Sequence, residues 1–127
     1  MAHEILELKS VHPTTGYSQA AKVGNTLYIA GQIANGIDGN LVGPGDIESQ
    51  ARQVFTNLKN ILEEAGGNLS HIVKMTTFLT HFDFIKGYRK VRSEYLTEPC
   101  PPNTLLIIES LALPAFMIEV EAIAVLD

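Results

Sequence analysis

Three short stretches of this chain carry side chains whose type and spacing could support chemistry. In MIEVEAIAV, Glu119 and Glu121 lie two residues apart. On a β-strand, positions i and i+2 share a face. The two carboxylates would then project together, with Ile118, Val120, Ala122 and Ala124 on the other side. A carboxylate in a sheltered cleft can orient water or move a proton, but the same pattern describes a plain solvated sheet face, and the spacing leaves both open. In PTTGYSQA, Tyr17 is either a turn aromatic on the core or a wall over a small ligand, its hydroxyl the polar handle. In TEPCPPNTLLIIE, residues 97–109, three prolines deliver the neutral amide of Asn103 to the mouth of the apolar run 105–108. No cation stands beside it.

Other chemistries find no support in the residue pattern. His3, His12, His71 and His81 show no metal-ligand spacing, and Cys100 has no paired Cys or His. Cys100 lies among prolines with no neighbouring histidine to activate it, so it reads as a spectator. No phosphate-binding glycine loop, dinucleotide fingerprint or nucleophile elbow occurs. Lys74 falls mid-strand and reads as an exposed-face lysine.

Composition bounds the class. The 127 residues suit a single domain over 1–127 that can bury its own core. Hydrophobic residues make up 46% and charged residues 18%, below the roughly 25% charged of an average domain, which suits a chain that hides surface in an oligomer. The net charge is −5 and no basic run exists, which argues against nucleic acid as a main partner. The single cysteine excludes an internal disulfide. With no signal-like start and no apolar run of membrane-spanning length, the expectation is a soluble cytoplasmic protein with no membrane partner.

The elements that must position these residues follow from periodicity. Residues 18–23 and 28–32 read as strands around the Gly24-Asn25 turn, with a further strand possible at 4–8. Ile47, Ala51, Val54, Phe55, Leu58, Ile61, Leu62 and Ala65 repeat at helical spacing, with Asp46 to begin the helix and Gly66-Gly67 to end it. Residues 71–80 read as a strand and 84–96 as a shorter helix that Gly87 weakens; 104–109 and 117–125 read as the last strands. Two helices cover one face of such a sheet. The run 105–108 is apolar at both parities, as in a strand buried on both faces, so the second cover is expected to be a neighbouring copy.

With these residues in place, the chain resembles the RidA/YjgF reactive-intermediate deaminase family along nearly its whole length. GYSQAAKVGNTLYIAGQIA, QARQVFTNLKNILEEAGGNLSHIVKMTTFLT and IEVEAIAV resemble its three sequence blocks, in order. The resemblance implies an α+β, chorismate-mutase-like single domain, a six-stranded mixed sheet backed by two helices. It also implies a homotrimer with small-molecule clefts between subunits. The implied activity is hydrolysis of reactive enamines and imines without metal or organic cofactor. Some members carry older labels such as ribonuclease or translation inhibitor; the acidic charge counts against the former here.

By the same resemblance, Tyr17 matches the family's cleft tyrosine, Gly31 a cleft glycine, and Glu119 the water-positioning glutamate. The chain departs from the family at PPNTL. Deaminating members begin this strand with P-A-R, whose arginine binds the substrate carboxylate. Here Asn103 takes that place, and Leu105 stands where many members have cysteine or threonine. Arg52, Arg89 and Arg92 all fall on expected helices. Two readings follow. One is an enamine/imine deaminase whose substrate is not a simple 2-imino acid, with Glu119 catalytic and Tyr17, Gly31, Asn103 and Leu105 binding. The other is a non-catalytic ligand-binding or regulatory trimer.

Overall fold

The computed structural model describes residues 2–127. Six strands form one sheet: β1 (Glu4–Ile5), β2 (Ala20–Val23), β3 (Thr26–Gln32), β4 (Ile72–Leu79), β5 (Asn103–Ile107) and β6 (Ile118–Val125). Helix α1 (Ile47–Glu64) lies between β3 and β4, and α2 (Phe84–Tyr95) between β4 and β5. The sheet order is β1-β2-β3-β6-β4-β5. Only β4 and β5 run parallel, as a crossover through α2 requires. This is the expected α+β mixed sheet, with boundaries moved by a few residues. The first strand stops at Ile5 rather than residue 8.

Local chemistry explains the elements. Val23 and Thr26 pair around a two-residue turn, and Gly24 at φ +57° supplies the conformation it needs. The Asp46 side chain accepts from the backbone N–H groups of Glu48 and Ser49 and so starts α1. At the other end Gly66 adopts φ +94°. The Gly66 N–H then reaches the Glu63 carbonyl at 3.1 Å and the Gly67 N–H the Leu62 carbonyl at 2.7 Å, a Schellman closure. The Glu64 carboxylate beside it accepts from the backbone N–H groups of Lys9 and Ser10. The N-terminal segment is thereby tied to the end of α1.

Both helices cover one face. Ala51, Val54, Phe55, Leu58 and Ile61 of α1 are wholly buried, as are Leu27, Leu79, Ile118 and Val120 from the strands. Each large side chain so buried stabilises the fold by about 1.5–3 kcal/mol. Phe55 stacks on Tyr95 with ring centroids 5.4 Å apart, which ties α2 to α1. Gly87 sits where α2 meets the start of α1. A Cβ there would lie 2.9 Å from Ile47 Cγ2, so the residue that weakens the helix by propensity permits its close packing.

The other sheet face has no cover among the described residues. Along β6, Ile118, Val120, Ala122 and Ala124 are buried against the helices, while Glu119, Glu121, Ile123 and Val125 alternate to the open side. In the edge strand β5, Leu105 and Ile107 pack on the core and Leu106 stays exposed. The double burial expected for residues 105–108 is therefore not completed by one chain.

Candidate functional site

Glu119 projects from the open face at the β3–β6 seam. The strand pairing shifts between Ile29 and Gln32, a bulge that presents the Gly31 backbone to the carboxylate. A Cβ on Gly31 would fall 2.8 Å from Glu119 Cδ and 3.0 Å from Oε1. Glycine is thus what lets the carboxyl group lie on the strand. Phe78 of β4 pairs with Glu119 on its other side. Burial pushes the Glu119 carboxyl above the ordinary glutamate range, and the like charge of Glu121 raises it further; among the described residues no hydrogen bond holds it down. A half-buried acid of this kind can hold or release a proton nearer neutrality.

Tyr17 is 54% exposed, on a loop closed by its own hydrogen bonds. The Thr14 hydroxyl donates to the Tyr17 carbonyl, and Gln19 Nε2 donates to the His12 carbonyl at 3.1 Å. Buried Gln32, adjacent to Gly31, donates to Gln19 Oε1 at 2.7 Å. That buried amide pair fixes the base of the Tyr17 loop to the strand that carries Gly31. Tyr17, Gly31 and Glu119 therefore belong to one connected scaffold.

Asn103 and Leu105 lie apart from it. In the parallel pairing Asn103 faces Met75 and Leu105 faces Thr77, both on the helix-covered side. The Asn103 side chain enters a closed ring. The Thr77 hydroxyl donates to Asn103 Oδ1 at 2.9 Å, and Asn103 Nδ2 donates to the Tyr88 hydroxyl at 3.4 Å. The Thr77 proton is thereby spent, so the Tyr88 hydroxyl must donate to Thr77 Oγ1 across their 3.1 Å contact. Thr77 and Tyr88 are fully buried and Asn103 is exposed at the strand mouth. One amide N–H and one lone pair of Asn103 remain free. Within one chain, Glu119 and the Asn103 side chain point to opposite faces of the sheet.

The comparisons with known proteins agree with the fold. The family described as Endoribonuclease L-PSP matches residues 7–126. The chain belongs to this family, the RidA/YjgF family of the resemblance. A RutC family protein of Pyrococcus abyssi is 38% identical over 98% of this chain and 98% of its own. A protein of Dermatophagoides farinae named 2-iminobutanoate/2-iminopropanoate deaminase is 34% identical over 91% of this chain and 89% of its own. Among solved structures, RidA from the Antarctic bacterium Psychrobacter sp. superposes with a TM-score of 0.90 at 32% identity, covering 97% of this chain and 99% of that one. Yeast Mmf1 superposes at 0.92 and 33%, covering 98% and 99%.

For this Rid-family chain, reading by motif overlooks Thr77 and Tyr88, which decide what Asn103 can offer. Their signal was present. Thr77 is a hydroxyl at an inward-facing strand position, and Tyr88 lies on the buried stripe of α2; buried hydroxyls need partners. No helix among the described residues is long and apolar enough to cross a membrane. Among those residues, no cluster of three or more His, Cys, Asp or Glu could hold a metal ion.

Proposed function

We propose that this Rid-family protein is a homotrimeric enamine/imine deaminase acting on a reactive small molecule other than a simple 2-imino acid. The observation that carries the reading is Glu119: half-buried, without a hydrogen-bond partner among the described residues, raised in pKa and seated on the Gly31 backbone. Each cleft lies between copies. Tyr17, Gly31 and Glu119 come from one chain and the exposed Asn103 from the next, because one chain points Glu119 and Asn103 to opposite faces; Leu105, packed on the core of that next chain, supports the strand behind Asn103.

In the reaction an enamine first tautomerises to its imine. Glu119 then orients a water molecule and takes its proton as the C–O bond forms at the C=N carbon. Return of that proton to nitrogen gives the carbinolamine. Glu119 then passes the carbinolamine O–H proton to the amine as the C–N bond breaks and the C=O bond forms, so that both water protons leave on ammonia and the carbonyl product remains. Neither oxidant nor reductant is consumed. The Tyr17 ring walls the cleft, and the free N–H of Asn103 offers a neutral donor. An Arg–carboxylate fork would add two charge-assisted bonds; Asn103 supplies no charge, so a carboxylate-headed substrate is held weakly. The place of action proposed is the cytoplasm, consistent with the free, exposed Cys100.

A specific observation favours a second reading, a non-catalytic ligand-binding trimer. Half of the Asn103 amide is engaged by Thr77 and Tyr88 rather than turned to a ligand. The deciding experiment measures ammonia and carbonyl product from a panel of imines generated in place by amino-acid oxidases, corrected for spontaneous hydrolysis. Turnover by the parent protein that Glu119→Gln abolishes supports the deaminase. A folded trimer inactive on every imine leaves the binding reading.

A further inference from the structure

Lys74 and Glu121 share the open face of the sheet, and neither makes an ion pair among the described residues. Glu121 pairs in register with Thr76, and Lys74 lies two residues along the same strand. The two Cα atoms are thus roughly 8 Å apart by strand geometry, close enough for an internal bridge. The lysine instead leans away. Its Nζ donates to the Met75 carbonyl at 2.7 Å, Thr104 Oγ1 at 3.1 Å and, more weakly, Thr76 Oγ1 at 3.4 Å. Thr104 belongs to β5, whereas Glu121 lies across β4 on β6. The ammonium is held in place by neutral oxygens and the exposed carboxylate is left alone.

Their surroundings are apolar. A groove of about 520 Å³ on this face takes in Ile5, Tyr28, Ile123, Lys74 and Glu121. Ile5, Tyr28, Leu106 and Val125 are each 43–49% exposed. An exposed groove lined by such apolar side chains marks an interaction site. One fixed cation and nearby acids beside it match neither a polyanion nor an anionic lipid surface. They match a second copy of the same surface, which carries both signs. Covering the face while leaving the Glu121 carboxylate without a partner would carry a large desolvation cost.

We infer that, where copies of this chain meet across the open face, Lys74 of each pairs with Glu121 of the partner subunit, and that this pair fixes the register of the interface. In a closed ring every copy gives one lysine and receives one carboxylate. The inference rests on the assembly proposed above. Lys74 also lies four residues along β4 from Phe78, the partner of Glu119, or about 13 Å. It therefore serves the interface and not the Glu119 corner of its own chain.

The test is charge reversal, read as mass by light scattering at micromolar concentration, with circular dichroism to confirm folding. Lys74→Glu and Glu121→Lys should each weaken association on the order of 100-fold or more, moving the mass toward 13.9 kDa. The double reversal should restore it, because each interface regains opposite charges. The neutral variants Lys74→Met and Glu121→Gln cover the case in which a reversal fails to fold. They should each weaken association, and less than the reversals. A parent assembly unmoved by either single reversal, or a folded double variant that stays dissociated, would overturn the pairing while leaving the assembly standing. A parent protein that is itself monomeric would overturn both.

Discussion

Glu119 and Asn103 are the two positions that the sequence resemblance matches to working residues, and the fold treats them in opposite ways. Glu119 is left without a hydrogen bond, pressed on a glycine backbone and partly removed from water. Asn103 is drawn into a ring with two buried hydroxyls, each group donating once and accepting once. The first arrangement keeps a side chain reactive at an electrostatic cost. The second spends its capacity on holding the start of β5. The position of a residue in a motif names the candidate, and its hydrogen-bond partners decide what remains for a ligand.

The largest expected effect is at the reactive corner. Glu119→Gln keeps the shape of the side chain and removes the titrating group, so turnover should fall by about 10²- to 10⁴-fold with the mass unchanged. Glu121→Gln should matter less, because Glu121 does not touch Gly31. Equal small effects on turnover of the assembled protein would return both carboxylates to the role of a solvated face.

Gly31→Ala comes next. Its φ is not in the left-handed region, so the backbone tolerates alanine. The added Cβ meets Glu119 Cδ at 2.8 Å, and the carboxyl group must move. Misplacing a reacting group by about 1 Å can cost on the order of 10²-fold. The loss should appear in kcat with little change in the denaturation midpoint. An active variant would show that Glu119 does not need its seat on the β3 backbone.

Much of this contrast was legible in the sequence, and the remainder was hidden for physical reasons. Strict alternation along IEVEAIAV placed Glu119 and Glu121 opposite the helices, and the helical repeat from Ile47 to Ala65 located α1. Asp46 and Gly66-Gly67 marked its ends because capping chemistry is local. Gly87 misleads when judged by propensity, since its use is a contact with Ile47 forty residues away. The Thr77–Tyr88–Asn103 ring is likewise long-range: three elements must pair before a hydroxyl on β4 finds an amide on β5. The face of Asn103 was also not readable, because the register of the parallel β4–β5 pair is set by the crossover through α2.

A smaller effect tests that ring. Asn103→Arg should raise activity on 2-iminopropionate mainly through KM, since the added fork binds ground and transition states alike. It also has a cost. A guanidinium only donates, so the Thr77 hydroxyl loses its acceptor and stability should fall by about 0.5–1.5 kcal/mol per lost bond. Thr77→Val should cost a similar amount alone. Because either change opens the ring, the double variant should lose less than the sum of the singles in urea denaturation. Strict additivity would show that the three groups do not act as a unit. Efficient hydrolysis of 2-iminopropionate by the parent protein would sink the link between this position and substrate choice.

The smallest effect concerns proton affinity. Glu119 is raised first by burial and second by the Glu121 charge. If ionised Glu119 is the base, the acidic limb of kcat/KM should lie above the ordinary glutamate range. Glu121→Gln removes the second cause and leaves the first, so the limb should move to lower pH without returning fully to the ordinary value. On the limb, the variant should keep more of its maximal activity than the parent. Stability follows the same sign. A carboxyl raised above its unfolded value binds more protons in the folded state, so its contribution is fully present below the unfolded pKa and is lost as pH rises through the folded one; Glu121→Gln should narrow that window from above. The shift should be small, because the pairing proposed for the partner's Lys74 would offset part of the Glu121 field. It must be measured at protein concentrations that keep the variant assembled, by the rate profile and by carbon NMR of the labelled carboxyl group. A limb equally placed in both proteins would assign the whole displacement to burial.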